Sequence, residues 1–118
     1  MESGSLPGKH VLLDLYGADC SHSKTELGTI LINAAENCSA TVLSSNLHHF
    51  GEGFGITGVV LLAESHISIH TWPEKSYIAI DIFMCGDCDP LDALPVLEKA
   101  FSAKKVEMQV IVRGNDKI

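Results

Sequence analysis

The densest run of reactive side chains is Glu64-Ser65-His66-Ile67-Ser68-Ile69-His70-Thr71-Trp72-Pro73-Glu74. Ser65 stands where two strand-like runs meet, residues 59–63 before it and 66–72 after it, so a hydroxyl nucleophile sits at a chain reversal. His70 follows on the next strand, within reach of the same pocket, and the pair reads as serine–histidine chemistry. No third member is evident and no Gly-x-Ser-x-Gly turn surrounds Ser65, which argues against a hydrolase. A second constellation is Cys85-Gly86-Asp87-Cys88, after a strand and before Asp-Pro and a helix. That arrangement fits a thiol redox site. With Cys20, His22 or a strand histidine added, it also leaves a zinc site open. A single Cys-x-x-Cys is weak evidence for zinc, and a redox site leaves the serine–histidine block unexplained. His22, His48 and His49 carry no chemistry that can be assigned; His10 reads as a structural residue of the first strand and Cys20 as a helix-entry residue.

The elements that must position these groups follow from periodicity. Residues 10–16 form an apolar strand. Ser23-x-x-Glu26 is a capping box, followed by Leu27, Ile30, Leu31, Ala34, Ala35 and Cys38 at helical spacing as a core-facing stripe. Residues 41–50 are strand-like, and 51–58, with four glycines in eight residues, are expected to be a loop. In residues 66–72, Ile67, Ile69 and Thr71 fall on one face and His66, Ser68, His70 and Trp72 on the other. Residues 77–84 place Ile78, Ile80, Ile82 and Met84 on a single face. A second helix carries Leu94, Leu97 and Phe101, with Asp92 expected as N-cap and Pro95 in the first turn; a start at Pro90 predicts a kink. Residues 106–112 close the chain as a strand. The order β-α-β-β-β-β-α-β implies an α+β fold: a two-layer sandwich of a mostly antiparallel sheet with two helices on one face. The other sheet face must then be wetted or covered by another subunit.

Composition bounds the remaining possibilities. The 118 residues suit one domain, and 46% apolar content supports a core without disulfide staples. Eight basic against fifteen acidic residues leave a formal charge of −7, which excludes a nucleic-acid module lacking any basic stripe and suits a small cationic ligand. The longest apolar run, residues 59–63, falls far short of the roughly 20 residues a membrane span needs. The Gly/Pro/Ser-rich start lacks the basic and apolar stretches of a signal peptide, so the expectation is a cytoplasmic protein whose four cysteines are thiols.

From about Gly8 onward the chain resembles the short prokaryotic, pyruvoyl-dependent class of S-adenosylmethionine decarboxylase. The likeness is densest over GITGVVLLAESHISIHTWPE (residues 55–74) and AIDIFMCG (residues 79–86). The resemblance implies a proenzyme in which the Ser65 hydroxyl attacks the Glu64 carbonyl. The chain is then cut into a β chain, residues 1–64, and an α chain, residues 65–118, and Ser65 becomes a pyruvoyl group with loss of ammonia. It implies that Thr57 (serine in many relatives) and His70 assist this processing. The pyruvoyl carbonyl would then form a Schiff base with the substrate amine and act as electron sink while carbon dioxide leaves. Cys85 is implied as the proton donor, Glu74 as the acid on the ribose hydroxyls and Phe50 as the aromatic on adenine. The loop after Phe50 is one residue longer than in relatives, which makes Phe54 a substitute. No metal is implied. The product would be decarboxylated S-adenosylmethionine, the aminopropyl donor for spermidine. The resemblance also implies a homodimer with two sites near the subunit contact. Arginine or ornithine decarboxylase paralogues share the serine and cysteine blocks and stand as the alternative; Phe50 and Glu74 favour the adenosyl substrate. A redox or zinc module on Cys85 and Cys88 is the alternative of another class.

Overall fold

A computed structural model of the chain describes residues 6–114. Residues 1–5, part of the Gly/Pro/Ser-rich start, lie outside the described residues. The elements run β1 (Gly8–Tyr16), α1 (Lys24–Asn37), β2 (Val42–His49), β3 (Ile56–Leu62), β4 (Ser65–Trp72), β5 (Tyr77–Cys85), α2 (Leu94–Phe101) and β6 (Lys105–Arg113). Short 3-10 turns, Pro73–Lys75 and Pro90–Ala93, precede β5 and α2. The strands form one sheet in the order β2-β3-β4-β5-β1-β6, and every neighbouring pair is antiparallel. Both helices pack on one face, as the periodicity implies. Among the described residues no helix is long and apolar enough to cross a membrane.

The core lies between the helices and one sheet face. Val11, Leu13 and Leu15 of β1 meet Ile67 and Ile69 of β4 and Ile78, Ile80, Ile82 and Met84 of β5 there. Leu27, Leu31, Ala34 and Ala35 of α1 and Leu97 and Phe101 of α2 close it from above. The Ser23 capping box forms: its hydroxyl accepts from the Glu26 N–H at 3.1 Å and the Glu26 carboxylate accepts from the Ser23 N–H at 2.8 Å. Cys38 ends the α1 stripe fully buried, and burial pushes its thiol pKa up to about 12. Phe101 is wholly enclosed, with the His22 ring edge-on at 5.3 Å. Phe101→Ala is therefore expected to cost about 3–5 kcal/mol, a large share of a small domain's stability, and urea unfolding reads it directly.

Two expectations change. Asp92 does not cap the second helix, whose N-cap is Ala93 without a side-chain bond; the capping carboxylate is that of Asp89, which accepts from the Leu91 N–H at 3.0 Å and starts the preceding Pro90–Ala93 turn. Pro95 then falls in the first turn of α2, where no helical N–H is needed. The glycine-rich loop is also shorter than residues 51–58, because β3 starts at Ile56. A Cβ on Gly58 would meet the Leu47 side chain at 2.7 Å, and one on Gly55 would run into the Thr71 carbonyl. These glycines permit close strand approach and do not mark a turn.

The face away from the helices carries the alternate residues. His66, Ser68, His70 and Trp72 of β4 lie beside Phe83, Asp81, Ala79 and Tyr77 of β5. His10, Leu12, Asp14 and Tyr16 of β1 continue the row. Among the described residues no element covers this face, and β6 is exposed along its whole length.

Candidate active site

β3 and β4 are joined by a two-residue reversal, Ala63–Glu64, with Leu62 opposite Ser65. Such hairpin turns match strand twist when a central residue takes positive φ, a place for glycine or asparagine. Neither Ala63 nor Glu64 adopts it, and the positive φ falls on Ser65, at +154°. A serine held there stores backbone strain of about 1–3 kcal/mol next to the Glu64–Ser65 bond. The Glu64 carbonyl accepts a hydrogen bond from the Cys85 N–H at 3.3 Å, so a fixed donor polarises the carbon that a nucleophile would attack. The Glu64 carboxylate is anchored by the Thr41 N–H at 2.9 Å. The Ser65 hydroxyl lies 3.5 Å from the Cys85 sulfur. Ser65, Glu64 and Cys85 thus form one cluster at one end of β4.

Thr57 and His70 form another. They are opposite each other on β3 and β4, with the Thr57 hydroxyl 3.1 Å from His70 Nδ1. They line a cavity of about 350 Å3 with Phe50, Phe54, Trp72 and Glu74. Both phenylalanines are exposed at its rim, on a reversal closed by the Phe50 N–H to the Gly55 carbonyl at 3.0 Å. Glu74 is supplied by the 3-10 turn after β4. The cavity therefore offers aromatic faces, a carboxylate and a hydroxyl–imidazole pair, a set suited to a cationic nucleoside.

His70 is not on a strand beyond that of Ser65. Both belong to β4, five residues apart. At about 3.3 Å per residue they are separated by roughly 17 Å, so one chain does not bring the two clusters together. Sequence spacing placed them in one pocket; the continuous strand places them at opposite ends.

Between the clusters lies a third group that the sequence reading missed. Asp81 accepts from Ser68 and sits 3.0 Å from His10 Nε2 and 3.1 Å from His66 Nε2. Burial pushes the Asp81 pKa up, but the Ser68, His10 and His66 hydrogen bonds outweigh it and hold the carboxyl below its ordinary range. The alternation of β4 put His66 and Ser68 on this face; their meeting with Asp81 depends on the β4–β5 register. His10, His66 and Asp81 offer three ligand atoms within 4.8 Å of one another. Arg113 approaches His10 Nδ1 at 3.4 Å, which leaves Nε2 of a neutral His10 to donate to Asp81. The group is satisfied as a hydrogen-bond hub.

At the far edge, Tyr77 donates to Asp14 and stacks between Tyr16 and Trp72, at 5.2 Å from each. The Asp14 bond and burial push the Tyr77 phenol up to about 12. Cys85 and Cys88 do not converge on a histidine. The Cys88 thiol donates to the Ser39 carbonyl at 3.7 Å, and no cysteine belongs to the three-ligand cluster found among the described residues. Cys20 is half-buried against the carbonyls of Ala18 and Tyr77.

Comparison with known proteins adds independent observations. The family model described as S-adenosylmethionine decarboxylase matches residues 9–114. A relative from Methanococcus maripaludis strain S2, named S-adenosylmethionine decarboxylase proenzyme, is 43% identical, covering 91% of this chain and 89% of its own length. One of the same name from Prochlorococcus marinus strain MIT 9313 is 47% identical, covering 82% and 79%. Among solved structures, the adenosylmethionine decarboxylase of Aquifex aeolicus VF5 superposes with a TM-score of 0.84 at 35% identity, covering 97% of this chain and 96% of its own.

Proposed function

Since the chain belongs to the S-adenosylmethionine decarboxylase family, we propose that it is a proenzyme that cuts itself between Glu64 and Ser65 and then decarboxylates S-adenosylmethionine. It is a carboxy-lyase serving polyamine synthesis, and we assign it to the cytoplasm. The observation that carries the processing step is Ser65: φ at +154°, with its preceding carbonyl already hydrogen-bonded by the Cys85 N–H.

The Ser65 oxygen attacks the Glu64 carbonyl carbon, the negative charge developing on the carbonyl oxygen is held by the Cys85 N–H, and the peptide C–N bond gives way to an ester. Relief of the positive φ favours this shift. Elimination across the Ser65 Cα–Cβ bond releases the Glu64 carboxylate, and addition of water expels ammonia. Residues 1–64 and 65–118 result. The residues present fit a pyruvoyl group, because the hydroxyl, the polarised carbonyl and an adjacent thiol stand together at Ser65. That group supplies a carbonyl for the substrate amine and withdraws electrons as carbon dioxide departs. Cys85, 3.5 Å from the Ser65 oxygen, returns a proton to the substrate's α carbon. Glu74 takes the ribose hydroxyls, while Phe50 and Phe54 flank the adenine and Trp72 faces the sulfonium. No metal has a part in this scheme.

The roughly 17 Å between Ser65 and His70 requires a second copy. Stacking two uncovered sheet faces about a two-fold axis sets the Ser65–Cys85 end of one copy over the Thr57–His70–Glu74 end of the other. We therefore read the enzyme as a homodimer with two composite sites. In it the Asp81 hub lies near the axis, and Leu61 and Ile111, exposed in a single chain, are covered.

Denaturing mass spectrometry and labelled carbon dioxide release test the proposal together. Two fragments divided between residues 64 and 65, the second blocked by pyruvate, are expected, with release from S-adenosylmethionine and none from arginine or ornithine. An intact, inactive chain overturns the proposal.

A further inference from the structure

The second thiol of Cys85-Gly86-Asp87-Cys88 has no part in the chemistry above, yet the fold keeps it beside the first. β5 ends at Cys85, and Gly86 and Asp87 form a turn in which Gly86 holds φ at +69°. A four-residue turn brings its end residues to within about 7 Å Cα to Cα, the range that a disulfide bridges. The Cys88 side chain is half-buried and its thiol donates to the Ser39 carbonyl at 3.7 Å, a weak bond that a change of χ1 would release. It also lines a cavity of about 210 Å3 with Gly8, Lys9, Gly86, Asp87 and Asp89, room enough for a small oxidant to enter beside the turn.

We propose that Cys85 and Cys88 form a reversible disulfide under peroxide, and that this bond switches the decarboxylase off by removing the thiol that protonates the product. The switch rests on the reading of Cys85 as proton donor; the disulfide itself does not.

Each step balances. The Cys85 sulfur attacks one oxygen of the peroxide, the O–O bond breaks and hydroxide leaves to become water, which converts the thiol to a sulfenic acid. The Cys88 sulfur then attacks the Cys85 sulfur, the S–O bond breaks and a second water departs. Two thiols lose two electrons and the peroxide gains both. The order of the steps follows from the surroundings. Cys85 stands at the Ser65 end of the site, and burial, followed by the charges of Glu64 and Asp87, pushes the Cys88 thiol up, which slows the reaction of Cys88 with peroxide. Cys88, held across the same turn, then resolves the Cys85 sulfenic acid.

The competing partner for Cys88 is Cys38, which lies in the 1–64 segment. It is enclosed and donates to the Ala34 carbonyl at 3.3 Å, with its pKa at about 12, so it offers almost no thiolate. The two pairings are easily told apart. A Cys85–Cys88 bridge lies within residues 65–118, whereas a Cys38–Cys88 bridge ties the two fragments together.

The test exposes the processed enzyme to hydrogen peroxide and follows fragment mass and decarboxylation in parallel. The 65–118 fragment is expected to lose about 2 Da, two hydrogens, with a bridged Cys85–Cys88 peptide. Activity is expected to fall about a hundredfold and to return with dithiothreitol. Cys88→Ser should keep its basal activity and form no bridge; without a resolving thiol, further peroxide carries the Cys85 sulfenic acid to the sulfinic acid, two oxygens added, which dithiothreitol does not recover. Absence of the bridge at peroxide levels that abolish activity overturns the proposal, as does a dithiothreitol-sensitive link between the fragments. A bridge that leaves activity intact overturns the donor role of Cys85 and the switch with it, while the disulfide stands.

Discussion

Mixing Cys85→Ala chains with Glu74→Ala chains, each inactive alone, is expected to restore about a quarter of wild-type decarboxylation. The expectation follows from the separation along β4. Cys85 belongs to the Ser65 end of the sheet and Glu74 to the Thr57–His70 end, and one chain does not join them. In a mixed dimer, one composite site receives both altered residues and the other receives neither. Random reassortment makes about half of the dimers mixed, each with one of two sites intact, hence the quarter. The measurement is labelled carbon dioxide release from the unfractionated pool after the two chains are co-expressed at equal levels; isolating the mixed dimer by two different tags should raise the value to about half. Activity no higher than that of either parent would place each site within one chain and remove the face-to-face dimer. Neither substitution touches the Ser65 hydroxyl, so both chains are expected to cut themselves, which the same samples report by mass.

Ser65→Ala is expected to remain one chain of 118 residues and to show no decarboxylation above background. Alanine removes the oxygen that attacks Glu64 and with it the precursor of the catalytic carbonyl, so both losses are complete. The companion Ser65→Gly separates this chemistry from the backbone. It too stays whole, but glycine accepts a φ of +154° without penalty, so the glycine form should be the more stable of the two by about 1–3 kcal/mol in urea unfolding. Equal stabilities would mean that residue 65 carries no strain. Cleavage of either variant would mean that another group makes the cut.

Much of this was legible in the residues, and for a physical reason in each case. The two-residue alternation of residues 66–72 and 77–84 allows only one side of each strand to be apolar, and that side is the core face. Ser23 and Glu26 cap α1 because their spacing satisfies two N–H groups that a helix start leaves free. Ser65 and Cys85 come together because Ser65 lies opposite Met84, next to Cys85, a relation fixed once both runs are strands of one hairpin-linked sheet. What could not be read depends on distances that composition does not encode. The alternation of residues 66–72 already shows one strand, but the residue types do not show that Ser65 belongs to it, and an extended run from Ser65 to His70 divides the site. Asp81 draws in His10 and Ser68 across three strands, so its hub exists only in the final register. Asp92 is no cap because a 3-10 turn, started by Asp89 and Pro90, runs into the helix and leaves Ala93 at its N-cap.

The strand order has one further consequence. Residues 1–64 hold β1, β2 and β3; residues 65–118 hold β4, β5 and β6. In the order β2-β3-β4-β5-β1-β6, the sheet therefore passes from the first segment to the second, back and across again. With the bond before Ser65 cut as proposed, β1 would stay clamped between β5 and β6 of the other piece and β3 against β4, so separating the pieces would tear three ladders. Folding from separated pieces then becomes a meeting of two molecules, dependent on concentration, where the uncut chain had its partner strand tethered. On the proposed cleavage, the cut enzyme would be a structure that its own fragments do not readily rebuild, and its lifetime would be set by the rate at which the interleaved sheet opens and not by an equilibrium with its parts.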